Sequence, residues 1–145
     1  MMLNLNYVSG IEELPVTITE EFMSEFKPTL TNEERAAMRA LYLALKEFTA
    51  LRPTMPLQYV MTFLLVATEE GKGVTEYAKM NEVSPTVMTR HLLDIGDRNR
   101  ARETGFGLVT QERDPTDLRR HHARVTPKGK GVAHRVLQAL KTSPK

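Results

Sequence analysis

The sequence predicts a mainly helical chain that carries one small β-hairpin, and three observations lead there. First, two short segments with helical apolar spacing meet at Asn81-Glu82. Val74, Tyr77 and Ala78 lie before the break; Met88, Leu92 and Ile95 recur after it at i, i+4 and i+7. Second, Ser84-Pro85 opens the later segment. A serine oxygen accepts from an unpaired amide at a helix start, and proline has no amide to leave unpaired. Third, Leu108-Val109-Thr110 and Ala123-Arg124-Val125 favour strands on either side of Asp114-Pro115-Thr116-Asp117, which is turn chemistry. Two short helices around a tight turn, followed by a basic hairpin, make a winged helix-turn-helix. The second helix of such a unit puts its N-terminal residues against base edges in the major groove. Thr86, Val87 and Arg90 are the residues left off its apolar stripe near the start.

The remaining elements follow in order. Residues 1–30, with Gly10, Pro15 and Pro28 as punctuation, read as an N-terminal arm. Thr31-Asn32-Glu33-Glu34 is a capping-box signal for a helix reaching about Leu51, where Arg52-Pro53 stops it. Ala37, Leu41, Ala44, Leu45 and Phe48 form its stripe, widened by Met38 and Tyr42, broad enough to serve both a core and a partner helix. Pro56 opens the next helix and Gly71 ends it. Its Leu57, Val60, Met61, Phe63, Leu64, Leu65 and Ala67 leave little polar face, which predicts a central buried helix. After the hairpin, Thr126-Pro127 repeats the Ser-Pro device and opens a helix to about Lys141, with Val132, Val136, Leu137 and Leu140 on its apolar side. The expected organisation is one compact domain: an arm over 1–30, helical core and dimerisation helices over 31–73, a winged helix-turn-helix lobe over 74–126 and a C-terminal helix over 127–145.

The residues of the lobe resemble the MarR-type (multiple antibiotic resistance regulator) transcription factors. Ala78, Val83-Ser84 and Met88-Thr89-Arg90 match the helix-turn-helix pattern of that family. Gly107-Leu108-Val109, then Arg113-Asp114-Pro115-Thr116-Asp117-Leu118-Arg119, then Val125-Thr126-Pro127-Lys128-Gly129 match its wing, and the spacing from Asp114 to Gly129 has no gap. The resemblance covers Val74 to Gly129. Three departures stand out. Asn81-Glu82 replaces an apolar residue and glycine in the turn, with Asn81 able to tolerate a left-handed backbone. His91 stands where the family has a core leucine, whose packing Leu92 would take over. Between Ile95 and Gly107 the chain is several residues longer than the family needs, and that stretch contains Arg98, Arg100 and Arg102.

Composition narrows the function classes. A chain of 145 residues can bury a real core. It has no cysteine, which excludes disulfides, thiolate zinc sites and a cysteine redox switch. The N-terminus lacks a basic start and a long apolar run, and Leu57 to Ala67 is too short to span a bilayer, so a cytoplasmic protein without a membrane partner is expected. No catalytic constellation, phosphate loop or metal-ligand spacing is present, and neither an enzyme nor a cofactor or metal is expected. His121 and His122 are adjacent on a strand and point to opposite faces. Net charge is only +2, but it is divided unevenly. Residues 1–89 hold 7 Lys/Arg and 12 Asp/Glu, net −5; residues 90–145 hold 13 and 6, net +7. The basic half contains the recognition helix and wing, as suits a polyanion partner.

The expected site therefore consists of Ser84, Pro85, Thr86, Val87, Thr89 and Arg90 on the recognition helix and Arg113, Asp117, Arg119 and Arg120 on the wing. Arg90 would reach guanine edges or phosphate, Thr86 a base or phosphate, and Val87 a thymine methyl. The resemblance implies that Arg119 goes to the minor groove, with Asp117 orienting it or tying down the wing. Arg98, Arg100 and Arg102 would add phosphate contacts. The expected function is that of a sequence-specific double-stranded-DNA-binding transcriptional regulator, a repressor binding an inverted repeat as a homodimer. The competing expectation is a winged helix used for protein assembly in a replication or DNA-processing complex. MarR-like regulation also implies a small-molecule effector that changes the spacing of the lobes, and the sequence names none.

Overall fold

The computed structural model describes residues 29–97 and 104–141 of the chain. The N-terminal arm up to residue 28 and the arginines at 98, 100 and 102 lie outside the described residues. The chain divides into two units, Met1–Glu34 and Arg35–Lys145. In the first, the Thr31 amide donates to Glu34 Oε2 at 2.8 Å and the Glu34 amide to Thr31 Oγ1 at 3.1 Å, the reciprocal capping box that the sequence predicts. The helix opened there, α1, is Asn32–Thr49.

In the second unit the order is α2 (Leu57–Thr68), α3 (Val74–Met80), α4 (Pro85–Asp94), β1 (Val109–Arg113), β2 (His121–Val125) and α5 (Pro127–Lys141). The two strands form one antiparallel hairpin, with Val109 opposite Val125 and Arg113 opposite His121. Each strand extends further toward the turn than the apolar triplets suggested. Phe63, Val66, Tyr77, Met88, Leu92, Ile95, Leu108, Val109 and Val132 are buried in a single core, which joins α2 to the helix-turn-helix, the hairpin and α5. The i, i+4, i+7 stripe of α4 lies in that core as its spacing predicts.

The expected stripe of α1 is only partly covered, and the expectation for α2 is corrected. On α1 the buried face is Ala40, Ala44 and Phe48, while Ala37, Leu41 and Leu45 of the expected stripe are exposed. Small side chains at i and i+4 let α1 approach closely, and the Phe48 ring meets Phe63 of α2 edge-on with centroids 5.8 Å apart. On α2, Val60, Thr62, Phe63 and Val66 are buried, but Leu57, Met61 and Leu64 are exposed, so only one side of the expected buried helix lies in the core. An apolar residue turns inward only where a neighbour covers its face, and α3, α4 and β2 cover only one side of this helix.

The turn between α3 and α4 shows which residue takes the strained backbone. Glu82, with φ 53°, is left-handed, whereas Asn81 has φ −98°. The Val83 amide reaches Ala78 O at 3.0 Å and the Glu82 amide reaches Lys79 O at 3.2 Å, the two bonds of a Schellman motif. Its left-handed position is the one where glycine is favoured. Glu82→Gly is therefore expected to stabilise the protein by about 0.5–1 kcal/mol, read as a rise in the denaturant midpoint at constant slope. A fall in the midpoint would show that the Glu82 side chain contributes more than the backbone strain costs.

A second local device holds the loop between α2 and α3. The wholly buried Tyr77 donates its hydroxyl to Glu69 O at 2.6 Å and accepts from the Lys72 amide at 3.2 Å. Burial raises its pKa above the ordinary phenol value. The loop in turn seals the outer edge of β2. Gly71 N donates to Ala123 O, Ala123 N donates to Lys72 O, and Glu70 Oε1 accepts from Val125 N at 2.7 Å. Tyr77→Phe should cost about 1–2 kcal/mol, because a backbone donor and acceptor both lose their partner. A change within 0.3 kcal/mol on chemical denaturation would show that water replaces the hydroxyl at no cost.

Candidate nucleic-acid interface

Ser84 caps α4 as its sequence position predicts: its Oγ accepts from the Val87 amide at 3.2 Å, and Pro85 occupies the first helical position. Ser84, Pro85, Thr86, Thr89 and Arg90 are exposed and Val87 is half-buried, while Met88, His91 and Leu92 face the core. One side of the first turns of α4 is thus presented to solvent by the packing of the other. Thr89 donates its hydroxyl to Pro85 O at 2.9 Å, which occupies its proton and leaves its oxygen available as an acceptor.

The wing is tied at its turn. Asp114 Oδ1 accepts from both the amide and the hydroxyl of Thr116, at 2.8 and 2.7 Å. These bonds from Thr116 hold the Asp114 carboxyl below the usual carboxylate range. Its other oxygen lies 3.2 Å from His122 Nε2. His122 thus faces Asp114, and His121 is exposed. Asp117 Oδ1 accepts from the Arg119 amide at 3.1 Å and lies 3.7 Å from Arg119 Nε, and Asp117 O accepts from Arg120 N at 2.9 Å. Asp117 therefore both orients Arg119 and closes the turn. The Arg119 side chain is 94% exposed, beside an exposed Leu118.

The wing arginines are not equivalent. Arg120 lies 3.7 Å from Glu76 of α3, and Arg124 donates to Glu112 on the facing strand at 3.1 Å. Arg124 is thereby held within the hairpin. Arg113 is exposed at the end of β1. Glu76 also accepts from the Gly73 amide at the start of α3, at 2.9 Å. Reading charges along the chain could not reveal the Arg120–Glu76 pair, because it joins the wing to α3.

The described residues that follow α4 and those that precede β1 are hydrogen-bonded to each other. The Gly105 amide donates to Asp97 O at 2.9 Å, Phe106 N to Asp94 O at 3.2 Å and Gly107 N to Gly96 O at 2.8 Å. A Cβ at Gly105 would meet the backbone oxygen of Asp94 at 2.9 Å and Gly96 O more closely still, so only glycine permits this approach.

Tyr59 and Thr62 of α2 face His91 on the inner side of α4, a grouping that the sequence does not predict. Tyr59 of α2 donates its hydroxyl to Asp94 at the end of α4. Thr62 Oγ1 and His91 Nδ1 are 3.3 Å apart, and the Tyr59 and His91 rings meet edge-on at 5.3 Å. His91 does not yield its core place to Leu92; both are buried. The missing signal was the partner: a histidine inside a helix stripe becomes legible only once Thr62 is known to face it.

Among the described residues, no group of three His, Cys, Asp or Glu side chains could hold a metal ion, and no helix is long and apolar enough to cross a membrane. No protein-family profile matches the chain, and no curated protein matches it by sequence. Solved structures do match. The YusO protein of Bacillus subtilis is 16% identical with TM-score 0.56, over 85% of this chain and 78% of that one. The transcriptional regulator Tm0710 of Thermotoga maritima is 20% identical with TM-score 0.54, over 74% of this chain and 66% of that one. MarR itself is 19% identical with TM-score 0.52, over 74% and 72%. The chain has the MarR-type winged-helix fold. In that fold α3 and α4 form the helix-turn-helix and the β1–β2 hairpin is the wing.

Proposed function

We propose that the protein is a sequence-specific, double-stranded-DNA-binding transcriptional regulator, a cytoplasmic repressor that binds an inverted repeat as a homodimer. The observation that carries this reading is the presentation of Thr86, Thr89 and Arg90 on the exposed side of α4, together with the almost fully exposed Arg119 on the same lobe's wing. A recognition helix in the major groove and a wing arginine beside it divide the work into base reading and backbone positioning. Ser84, Pro85 and Val87 shape the helix start, and Arg113 and Arg120 add backbone contacts beside Asp117.

Exposed apolar side chains support the dimer. Met38, Leu41, Tyr42 and Leu45 recur at i, i+3, i+4 and i+7 on α1, and Leu137 and Leu140 lie on α5. The two helices are linked by Arg135 Nε donating to Glu47 Oε1 at 2.8 Å. Contiguous apolar surface of this kind marks an interaction face, and a second copy of the chain is the partner that an inverted repeat requires. The segments 1–30, 31–73, 74–126 and 127–145 then act as arm, dimerisation helices, DNA-binding lobe and closing helix. A cleft of about 380 Å³ that includes Arg52, Tyr59, Asp94, Phe106 and Lys128 offers room for a small effector behind α4.

The test is enrichment of bound duplexes from random DNA, followed by footprinting and a mass measurement of the complex. Two half-sites roughly 10 base pairs apart, bound by two chains, are expected. Diffuse protection without a preferred sequence, or a monomer on the DNA, would overturn the reading in favour of an assembly module.

A further inference from the structure

Among the described residues the core holds one buried histidine, and it belongs to the recognition helix. His91 is 8% exposed; the other buried polar residue is Thr62, which faces it. With Nδ1 as the unprotonated nitrogen of a neutral ring, the Thr62 hydroxyl donates to it across 3.3 Å. One turn along, the Tyr59 hydroxyl donates to Asp94. Thus α4 is fastened to α2 by two polar contacts, one at each of two successive turns, and the Tyr59 ring closes over His91 between them.

We propose that this latch makes the docking of the recognition helix acid-sensitive, with His91 as the group whose protonation loosens α4 from α2. The added proton places a cation in an apolar core and makes Nδ1 a donor, so the Thr62 hydroxyl must give up its bond and turn. The groups facing the ring decide whether that charge is tolerated. From α2 these are Tyr59 and Thr62, and both are neutral: burial and the bond to Asp94 push the Tyr59 phenol up to about 12. From α4 itself, Asp94 favours the cation and Arg90 opposes it. Asp94 is already engaged by Tyr59, and Arg52 acts on that phenol rather than on the ring. Desolvation outweighs the rest and lowers the His91 pKa below 6.5.

The sign follows. Between that lowered value and 6.5 the His91 ring binds more protons in the unfolded chain than in the folded one, so its contribution to stability falls as pH drops from 6.5 and is constant above it. Loss of protection should be roughly tenfold for each unit by which the pKa is depressed. Loosening α4 would withdraw Thr86 and Arg90 from their presented positions, a consequence that rests on the DNA-binding reading above; the latch itself does not.

The experiment is hydrogen exchange on the DNA-free protein between pH 7.5 and 5, corrected for intrinsic rates, on wild type and on His91→Leu. Expected is a loss of protection in α4 that exceeds the loss in α1, and its absence in His91→Leu. Equal losses in both proteins overturn the proposal. NMR titration of the His91 ring in wild type keeps the test open should the variant misfold: a pKa at or above 6.5 overturns it. A second arm measures binding to the enriched duplex at pH 7.5 and 5.5 and compares the two proteins, which cancels contributions from His121 and His122. A greater loss in wild type supports the proposal, and an equal change in both overturns its extension to DNA. Failure to bind at either pH refutes the DNA-binding reading and leaves the exchange result standing.

Discussion

Gly129→Ala should destabilise the protein by about 3 kcal/mol, lowering its melting temperature by roughly 6–12 °C. Gly129 is buried in the first turn of α5. A methyl group there would point at the carbonyl of Leu108, closer than any real Cβ lies to a backbone oxygen, and would stand 2.7 Å from Val125 Cγ1. Neither neighbour can yield cheaply. Leu108 O accepts from Thr126 N at 3.0 Å, and Thr126 Oγ1 donates to Gly107 O at 2.6 Å while accepting from Gly129 N at 3.0 Å. The start of α5 is thereby stitched to the entry of the wing, and shifting α5 would disrupt all three bonds. Chemical denaturation of the variant measures the effect. A loss under 1 kcal/mol would mean that α5 can slide on the hairpin, and that the glycine of the Thr-Pro-Lys-Gly run is not required by packing.

Arg90→Ala should lose about 1–3 kcal/mol of DNA binding and relax the preference at particular base pairs, as expected for a contact to a base edge. Arg119→Ala should weaken binding with less change of preferred sequence, apart from A·T content flanking the half-sites. The structure sharpens the contrast. Arg119 is oriented from its base by Asp117 but is otherwise surrounded by solvent, whereas Arg124 is engaged by Glu112. Arg124→Ala should therefore change affinity less than Arg119→Ala. Titrations against the enriched duplex and against single-site variants of it resolve these effects. Equal and small losses for Arg90 and Arg119, in protein that stays folded, would mean that the lobe docks on another face.

The comparison of Glu82 with Asn81 shows where single-residue propensity stops. Both residues are visibly unusual for the turn, and propensity favours asparagine as the left-handed one. The backbone bonds from Glu82 and Val83 to Lys79 and Ala78 place the left-handed residue one position later. Propensity is a preference of one residue, whereas the Schellman bonds follow from where the helix ends.

The sequence by itself determined the elements and the exposed side of α4. Ser84-Pro85, Thr126-Pro127 and Thr31 with Glu34 act within four residues of themselves, so their physics is local and legible. Periodicity likewise assigned Met88, Leu92 and Ile95 to the core, because one turn of helix repeats whatever lies beside it. Only the tertiary structure decided which apolar faces are covered. Leu41 and Leu45 look as buried as Ala44 and Phe48 until α2 is seen to meet only one edge of α1. It also decided the polar pairs. Thr62 and His91 are 29 residues apart, Tyr59 and Asp94 35, and Glu70 and Val125 55. A hydrogen bond between such residues depends on how helices pack, and packing is a property of the whole core rather than of either residue.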